Sequence, residues 1–246
     1  NVASLGFAEH EGSFLVGAAA GLKSTTGLVG YIGGVTIDLI GKFEAGFTAG
    51  VAATNPDAVV IVEYISEPPD FSGFWSPDRA REIAQSMYEK GADVVYHAAG
   101  GSGAGLFEAA KSHSEDSGSK VWAIGVDSDQ YVTSDESVRD YILTSMIKRV
   151  DVAVFNTILA QGEGTFTAGG QSFDLSVDGV GYSTTGGFID DITGPLEDLK
   201  AKIVSKSISV PTVPGERAVV LPDLGGRVVT IAVDNAYLPF AYIPAD

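Results

Sequence analysis

The sequence contains no cysteine, and its 246 residues include only three histidines. The absence of cysteine excludes disulfides, cysteine-based zinc sites and cysteine catalysis. Three scattered histidines do not form the cluster that a metal site needs. The apolar stretches have strand length or are broken by glycine, so no transmembrane helix is predicted. The sequence gives no reason to expect a metal, a nucleotide cofactor or a stable oligomer, and we expect a monomer.

Positive charge is scarce, since 15 Lys and Arg face 32 Asp and Glu and the net charge is −17. This balance argues against nucleic acid or an anionic membrane as partner, because either requires a basic surface. The chain is 45% hydrophobic with a mean hydropathy of +0.18. It is therefore long and apolar enough to bury the core of one large domain or two modest ones.

The most informative segment covers residues 92–130, where an apolar run ends at His97 and a glycine-rich turn follows. A helical stretch from Leu106 to Lys111 leads to a second apolar run that ends at Asp127. This order is typical of a βαβ unit in an open parallel sheet. Ligands of such sheets bind outside the carboxyl ends of the strands. The segment therefore predicts a small-molecule site.

The rest of the chain repeats this alternation of strand and helix. Further strands are predicted at Val2–Phe7, Leu28–Ile32, Ala58–Ile65 and Tyr141–Met146, and helices at Glu9–Leu22, Ile37–Ala53, Pro77–Lys90, Arg149–Gln161 and Pro195–Ser205. The pattern predicts an α/β protein whose parallel sheet is covered on both faces. The sequence predicts a β-hairpin or loops in residues 162–191. It predicts a short connection between elements in residues 134–140 and a last strand in residues 226–233.

Several polar and glycine residues are candidates for ligand contact at this sheet edge. One turn contains Gly100, Gly101 and Ser102, and its amides would approach a ligand. The same sequence also suits a tight turn that binds no ligand. It matches neither a Walker loop nor a dinucleotide fingerprint. Alternation along the strand would place Asp127 and Asp129 on one side of its end. There they would bind the vicinal hydroxyls of a ligand, or they would only form a solvated turn.

Lys148 ends the next strand along the chain, and we expect it beside Asp127. There it would pair with Asp127, donate to a ligand hydroxyl, or remain an exposed lysine in the first turn of a helix. Phe71, Phe74 and Trp75 crowd one loop and cannot all be core. One of these rings would stack on a planar ligand, unless the loop only covers its own domain.

Enzyme signatures are weak. Ser102 lacks the sequence context of a nucleophile elbow, and His97 lies on a strand. A carboxylate pair for glycoside hydrolysis stays open, but nothing selects a pair. We therefore expect a binding protein and not an enzyme.

Six motifs in order carry a resemblance to a known family: EGSFLVGAAAGL, GLVGYIGG, KFEAGFTAG, SPDRAREIAQSMYEKGADVVYHAAGGSGAGLFEAAK, WAIGVDSDQ and LTSMIKRVDVAVF. Residues 1 to about 214 resemble the basic membrane protein family, which comprises substrate-binding lipoproteins of ABC transporters that capture purine nucleosides. The resemblance implies a type I periplasmic-binding fold of two α/β lobes that close on the ligand. It also implies a permease partner and a lipid-anchored position at the cell surface or in the periplasm.

Residue by residue, the resemblance implies that Phe74 of GFWSP stacks on the nucleobase. Trp75 stands where the family usually has a small polar residue. Asp127 of GVDSDQ matches the ribose-binding aspartate, and Lys148 of SMIKR matches the lysine that follows it. Gly100 and Gly101 would contact the ligand through their backbone.

The resemblance also divides the chain, with residues 27–148 as lobe two and residues 1–26 and 149–214 as parts of an incomplete lobe one. We expect that a segment supplying most of lobe one precedes Asn1. The tail, residues 215–246, resembles the N-terminus of an amino-acid-binding periplasmic protein. The alternatives to a nucleoside-binding protein are a sugar- or amino-acid-binding protein of similar fold, a sensory member of the family, and a nucleoside or glycoside hydrolase.

Overall fold

The computed structural model describes residues 2–216 and 218–220. The strands are β1 Ala3–Phe7, β2 Leu28–Val35, β3 Val59–Ser66, β4 Val94–Ala98, β5 Trp122–Asp127, β6 Ile142–Lys148, β7 Gly169–Phe173, β8 Val180–Tyr182, β9 Ile208–Ser209 and β10 Val219–Val220. The helices are α1 Glu9–Lys23, α2 Asp38–Thr54, α3 Pro77–Glu89, α4 Gly103–Ser117, α5 Gln130–Thr133, α6 Glu136–Arg139, α7 Val150–Gly162 and α8 Thr193–Val204. The strand predicted at residues 226–233 lies outside the described residues.

A six-stranded sheet in the order β3-β2-β4-β5-β6-β8 forms the centre of the molecule. Its first five strands run parallel, and β8 pairs antiparallel with β6. Successive side chains point to opposite faces, so Tyr31 packs with α1 and α2 while Ile32 packs with α3 and α4. The predicted parallel sheet covered on both faces is confirmed.

Glycines let α1 and α2 approach each other closely. A Cβ atom at Gly17 would overlap the backbone carbonyl of Phe47, and one at Gly50 would overlap that of Phe14. Because backbone cannot move aside as a long side chain can, these positions accept no larger residue without separating the helices. The two helices thus form one layer over the sheet.

A second unit consists of β1, α7 and β7. Strand β1 pairs in parallel with β7, in a register from Ala3 opposite Gly169 to Phe7 opposite Phe173. Helix α7 presents an apolar face to solvent, with Phe155 and Ile158 64% and 67% exposed. Three connections join this unit to the six-stranded sheet, at residues 8, 149 and 174–179.

The structure corrects three sequence predictions. Residues 1–26 were expected in lobe one, but α1 packs on the six-stranded sheet, and β8 and α8 also join that unit. Of the two alternatives for residues 162–191, a hairpin or loops, the hairpin is wrong, because β7 pairs with β1 and β8 pairs with β6. Residues 134–140, expected as a link, contain the short helix α6.

Candidate ligand-binding site

The parallel strands end together at one edge of the sheet. Strand β4 ends at Ala98 beside the glycine turn, β5 ends at Asp127, and β6 ends at Lys148. Asp127 lies opposite Ile147 in the ladder, so Lys148 follows directly beside it. The sequence prediction that Asp127 and Lys148 are neighbours at this edge is confirmed.

The aromatic loop, residues 71–76, lies against the glycine turn, residues 100–102. A Cβ at Gly73 would overlap the carbonyl of Gly34, and a Cβ at Gly34 would collide with the Phe74 ring. Gly100 has a φ of +55°, a conformation that glycine adopts without strain. The loop therefore sits directly on the carboxyl ends of β2 and β4.

Phe74 and Trp75 occupy different environments. The Phe74 ring is half-buried against the core, whereas the Trp75 side chain is 75% exposed. Their ring centroids lie 6.0 Å apart in an edge-to-face arrangement. Phe71 is also exposed, as expected for a loop with too many aromatics for the core. The rings of Phe74 and Trp75 are thus both accessible at the strand ends.

Ser102 is fully buried and connects the loop to the turn. Its hydroxyl donates to the Gly73 carbonyl at 2.7 Å and accepts from the Ser76 N–H at 2.7 Å. The middle and the C-terminal end of the aromatic loop are thereby bound to one side chain. Ser102, a candidate for ligand contact in the sequence, instead uses its hydroxyl to hold the aromatic loop in place.

Replacing Ser102 by Ala is expected to lower the free energy of unfolding by about 1–3 kcal/mol, because a buried donor and a buried acceptor lose their partner. Denaturant unfolding measures this loss, and Trp75 emission in a Trp122→Phe background reports the loop. Ser114→Ala is the matched control, since the Ser114 hydroxyl also bridges Ala110 and Val121, but at the far end of α4. A Trp75 spectrum that changes equally in both variants would contradict the bridging role.

Asp127 adopts a left-handed backbone conformation, with φ of +68°. Aspartate tolerates this region better than most residues, and it turns the chain out of the strand. The residue is exposed to solvent, but partial burial of its carboxylate raises the pKa, while the nearby Lys148 lowers it and Glu9 raises it. The structure therefore presents one accessible carboxylate at the strand end.

Asp129 does not accompany Asp127. Its Oδ2 accepts hydrogen bonds from the hydroxyls of Ser183 at 2.8 Å and Thr185 at 2.5 Å. The expectation that both carboxylates share one side fails because strand alternation stops at the left-handed residue 127. Asp129 anchors the segment after β8 to the start of α5.

Lys148 is largely covered, with 17% of its side chain exposed. Its ammonium lies 3.0 Å from Oε1 of Glu9, the first residue of α1, whose side chain is 4% exposed. The Nζ atom also lies 5.1 Å from the centroid of the Phe7 ring. Neither partner was predicted from the sequence, because each lies more than a hundred positions away along the chain.

His97 and Gln130 form a second feature that sequence reasoning missed. His97 is fully buried and its Nε2 donates to Gln130 Oε1 at 2.9 Å, while the same oxygen accepts the Val126 N–H at 2.7 Å. Gln130 N–H donates to Ser145 Oγ at 3.1 Å. This chain of hydrogen bonds joins the ends of β4, β5 and β6 just beneath Asp127.

Burial lowers the pKa of His97 to about 4. In the unfolded chain the imidazole has its ordinary pKa near 6.5. Between about pH 4 and pH 6.5 the unfolded chain therefore binds a proton that the folded chain does not, so the free energy of unfolding rises with pH over this range. The expected gain from pH 4 to pH 6.5 is about 3 kcal/mol. An NMR titration of the imidazole signals tests this, with the urea-unfolded chain as the reference. A His97 signal that titrates near 6.5 in the folded chain would contradict it.

A hollow of about 690 Å³ lies on the other side of the glycine turn. It is lined by Gly100 and Gly101 and by charged side chains that include Arg81, Glu108 and Lys111. Asp127, Lys148 and the aromatic loop do not line it. The geometry of the candidate site therefore depends on the strand ends and not on this hollow.

The fold, with parallel-dominated sheets flanked by helices, is shared with solved solute-binding proteins. Among solved structures, an ABC transporter solute-binding protein from Aeropyrum pernix is 27% identical, with a TM-score of 0.72, covering 88% of this chain and 68% of that chain. A transcriptional activator of the comK gene from Bacillus halodurans is 25% identical, with a TM-score of 0.69, over 85% of this chain and 67% of that one.

The chain belongs to the Bmp family, whose model, described as ABC transporter substrate-binding protein PnrA-like, matches residues 1–213. The CD4+ T-cell-stimulating antigen of Listeria monocytogenes is 44% identical over 87% of this chain. The ABC transporter nucleoside-binding protein BmpA of Lactococcus lactis is 34% identical over 86% of it. The chain spans about 60% of the length of these curated relatives. Within the described residues, no helix is both long and apolar enough to cross a membrane.

Proposed function

We propose that this chain is the greater part of an extracytoplasmic, lipid-anchored receptor that binds a purine nucleoside and delivers it to an ABC permease. The observation that carries the proposal is the accessible Asp127 carboxylate beside Lys148, with an aromatic loop on the neighbouring strand ends. One relative, BmpA of Lactococcus lactis, is an ABC transporter nucleoside-binding protein. The role is binding and not catalysis.

Asp127 would accept hydrogen bonds from the two ribose hydroxyls. A carboxylate has two oxygens with the spacing of vicinal hydroxyls, and hydrogen bonds to a charged acceptor are the stronger kind. Asp127 has a left-handed backbone at the end of β5 and is exposed to solvent there. Lys148, at the end of the neighbouring strand, would donate to a ligand hydroxyl. Asp129 is not assigned to the ligand, because its Oδ2 accepts hydrogen bonds from Ser183 and Thr185.

Phe74 or Trp75 would stack on the base. Aromatic faces bind planar heterocycles regardless of their hydrogen-bonding pattern, so they supply affinity while polar groups supply selectivity. Gly100 and Gly101 are exposed beside Phe74, and their backbone would contact the base edge or the ribose. Ser102 would act indirectly, by holding the aromatic loop.

The chain offers a direct test, since Trp75 and Trp122 are its two tryptophans. A Trp122→Phe protein has one indole, placed in the aromatic loop, and is titrated with guanosine, inosine, adenosine, uridine and ribose. The proposal predicts saturable quenching by purine nucleosides, because a stacked base contacts the indole or its neighbour. Binding of ribose alone would favour a sugar-binding protein, and release of free base from inosine would favour a hydrolase. Either result would overturn the proposal.

A further inference from the structure

The three connections between the two units meet at one point, the start of α1. The Ala8 N–H donates to the Phe173 carbonyl at 2.9 Å, and the Arg149 N–H donates to the Gly179 carbonyl at 2.9 Å. Glu11 Oε2 accepts the Leu175 N–H at 3.0 Å. The Phe7 and Phe173 rings stack at 5.4 Å. Any change in the angle between the units must therefore act on this junction.

Glu9 lies inside this junction and is nearly inaccessible to solvent. Its Oε1 binds Lys148, while its Oε2 is buried and has no hydrogen-bond partner among the described residues. A buried carboxylate is costly unless it is paired and hydrogen-bonded. A half-satisfied carboxylate at this place needs an explanation beyond packing.

The position of Lys148 supplies one. Lysine carries one positive charge, and Glu9 is its ion-pair partner. Asp127, one strand away, is the other carboxylate whose charge acts on Lys148. Among the ion pairs of the described residues, however, Lys148 pairs with Glu9 and not with Asp127. Without Glu9, the ammonium would be drawn onto Asp127 and would occupy the carboxylate.

We infer that Glu9 is a positioning residue, which holds Lys148 at the crossover junction and so keeps the Asp127 carboxylate free for a ligand's vicinal hydroxyls. The inference rests on the proposed function for its ligand, a nucleoside. Glu9 lies at the junction between the two units and not at the strand ends. Because Glu9 also stands where the three connections meet, it links the hydroxyl-binding groups to the junction between the units.

The inference is tested by comparing the affinities for two ligands that differ only in the vicinal hydroxyls, guanosine and 2′,3′-dideoxyguanosine. Glu9→Gln keeps the shape of the side chain and removes its charge. We expect guanosine to bind about tenfold more weakly, which corresponds to about 1.4 kcal/mol, and 2′,3′-dideoxyguanosine to change less than about twofold. Glu11→Gln is the matched control, since this neighbouring glutamate binds a backbone N–H at the same junction. Equal losses for both ligands in Glu9→Gln would overturn the inference.

A second variant guards against a simple loss of folding. In a Lys148→Met background, Glu9→Gln no longer leaves an ammonium without its carboxylate, so the double variant is expected to fold. If Glu9 acts through Lys148, the double variant binds guanosine as Lys148→Met does, within about twofold. A further tenfold loss in the double variant would place the effect elsewhere and refute the positioning role.

A readout without ligand separates this inference from the proposed function. In NMR spectra of the native chain, the two Hε protons of Lys148 should be inequivalent, because its ammonium is fixed by Glu9. Glu9→Gln should shift these signals, and Glu11→Gln should leave them in place. Unchanged Lys148 signals in Glu9→Gln would refute the positioning role even if nucleosides bind. Shifted signals in a chain that binds no nucleoside would uphold it while the proposed function fails.

Discussion

Asp127→Asn is expected to weaken purine-nucleoside binding by about 100-fold or more. Two charge-assisted hydrogen bonds to ribose hydroxyls are each worth roughly 1.5–3 kcal/mol, and 1.4 kcal/mol is a factor of ten. Asparagine keeps the size of the side chain and tolerates the left-handed backbone at this position. The loss should therefore come from the charge and not from the turn, and calorimetric titration measures it.

Asp178→Asn is the matched control for this change. Asp178 is also an aspartate with positive φ, +51°, but its carboxylate pairs with Lys200 on the surface, in the connection between β7 and β8. It should leave nucleoside affinity within about twofold, since an exposed ion pair contributes little. Comparable affinity losses in the two variants would show that the carboxylate at 127 has no special part in binding.

Gly17→Ala is expected to lower the free energy of unfolding by about 3 kcal/mol, because its Cβ would overlap the Phe47 backbone carbonyl and force α1 away from α2. Chemical denaturation with circular dichroism measures the change. Gly162→Ala is the control, as it adds a Cβ to a helical glycine with open space around it. That variant should be as stable as the native chain or up to about 1 kcal/mol more stable. A small effect at Gly17 would contradict the close helix crossing.

Much of the central sheet was predictable from local pattern. The strands β4 and β5 and the turn between them follow from apolar runs that end in glycine or aspartate. The neighbouring positions of Asp127 and Lys148 follow from parallel strand order, since consecutive strands of such a sheet usually pair. Local sequence therefore suffices where the fold uses consecutive elements.

Features that depend on distant partners were not predictable. β7 and β8 look like a hairpin locally, but their pairing partners are β1 and β6. Asp129 looks like a companion of Asp127 until Ser183 and Thr185 are brought beside it. Ser102 looks exposed in a glycine turn until the aromatic loop covers it. In each case a contact across the fold decides what the residue does.

Glu9 illustrates the same limit. At the start of an amphipathic helix, a glutamate is expected to be a solvent-exposed residue that favours the helix N-terminus. The structure buries it because β1 delivers α1 directly onto the end of β6. A glutamate two residues after a predicted strand carries no local signal of this, and only the ion pair with Lys148 reveals it.

The central claim is that the strand-end site takes a purine nucleoside as one unit of base and ribose. The most direct measurement is a calorimetric titration of the chain with inosine, repeated in the presence of excess ribose. We expect saturable heat with one site per chain, unaffected by ribose, because ribose alone lacks the stacking contribution. Heat from ribose with none from inosine would contradict the claim.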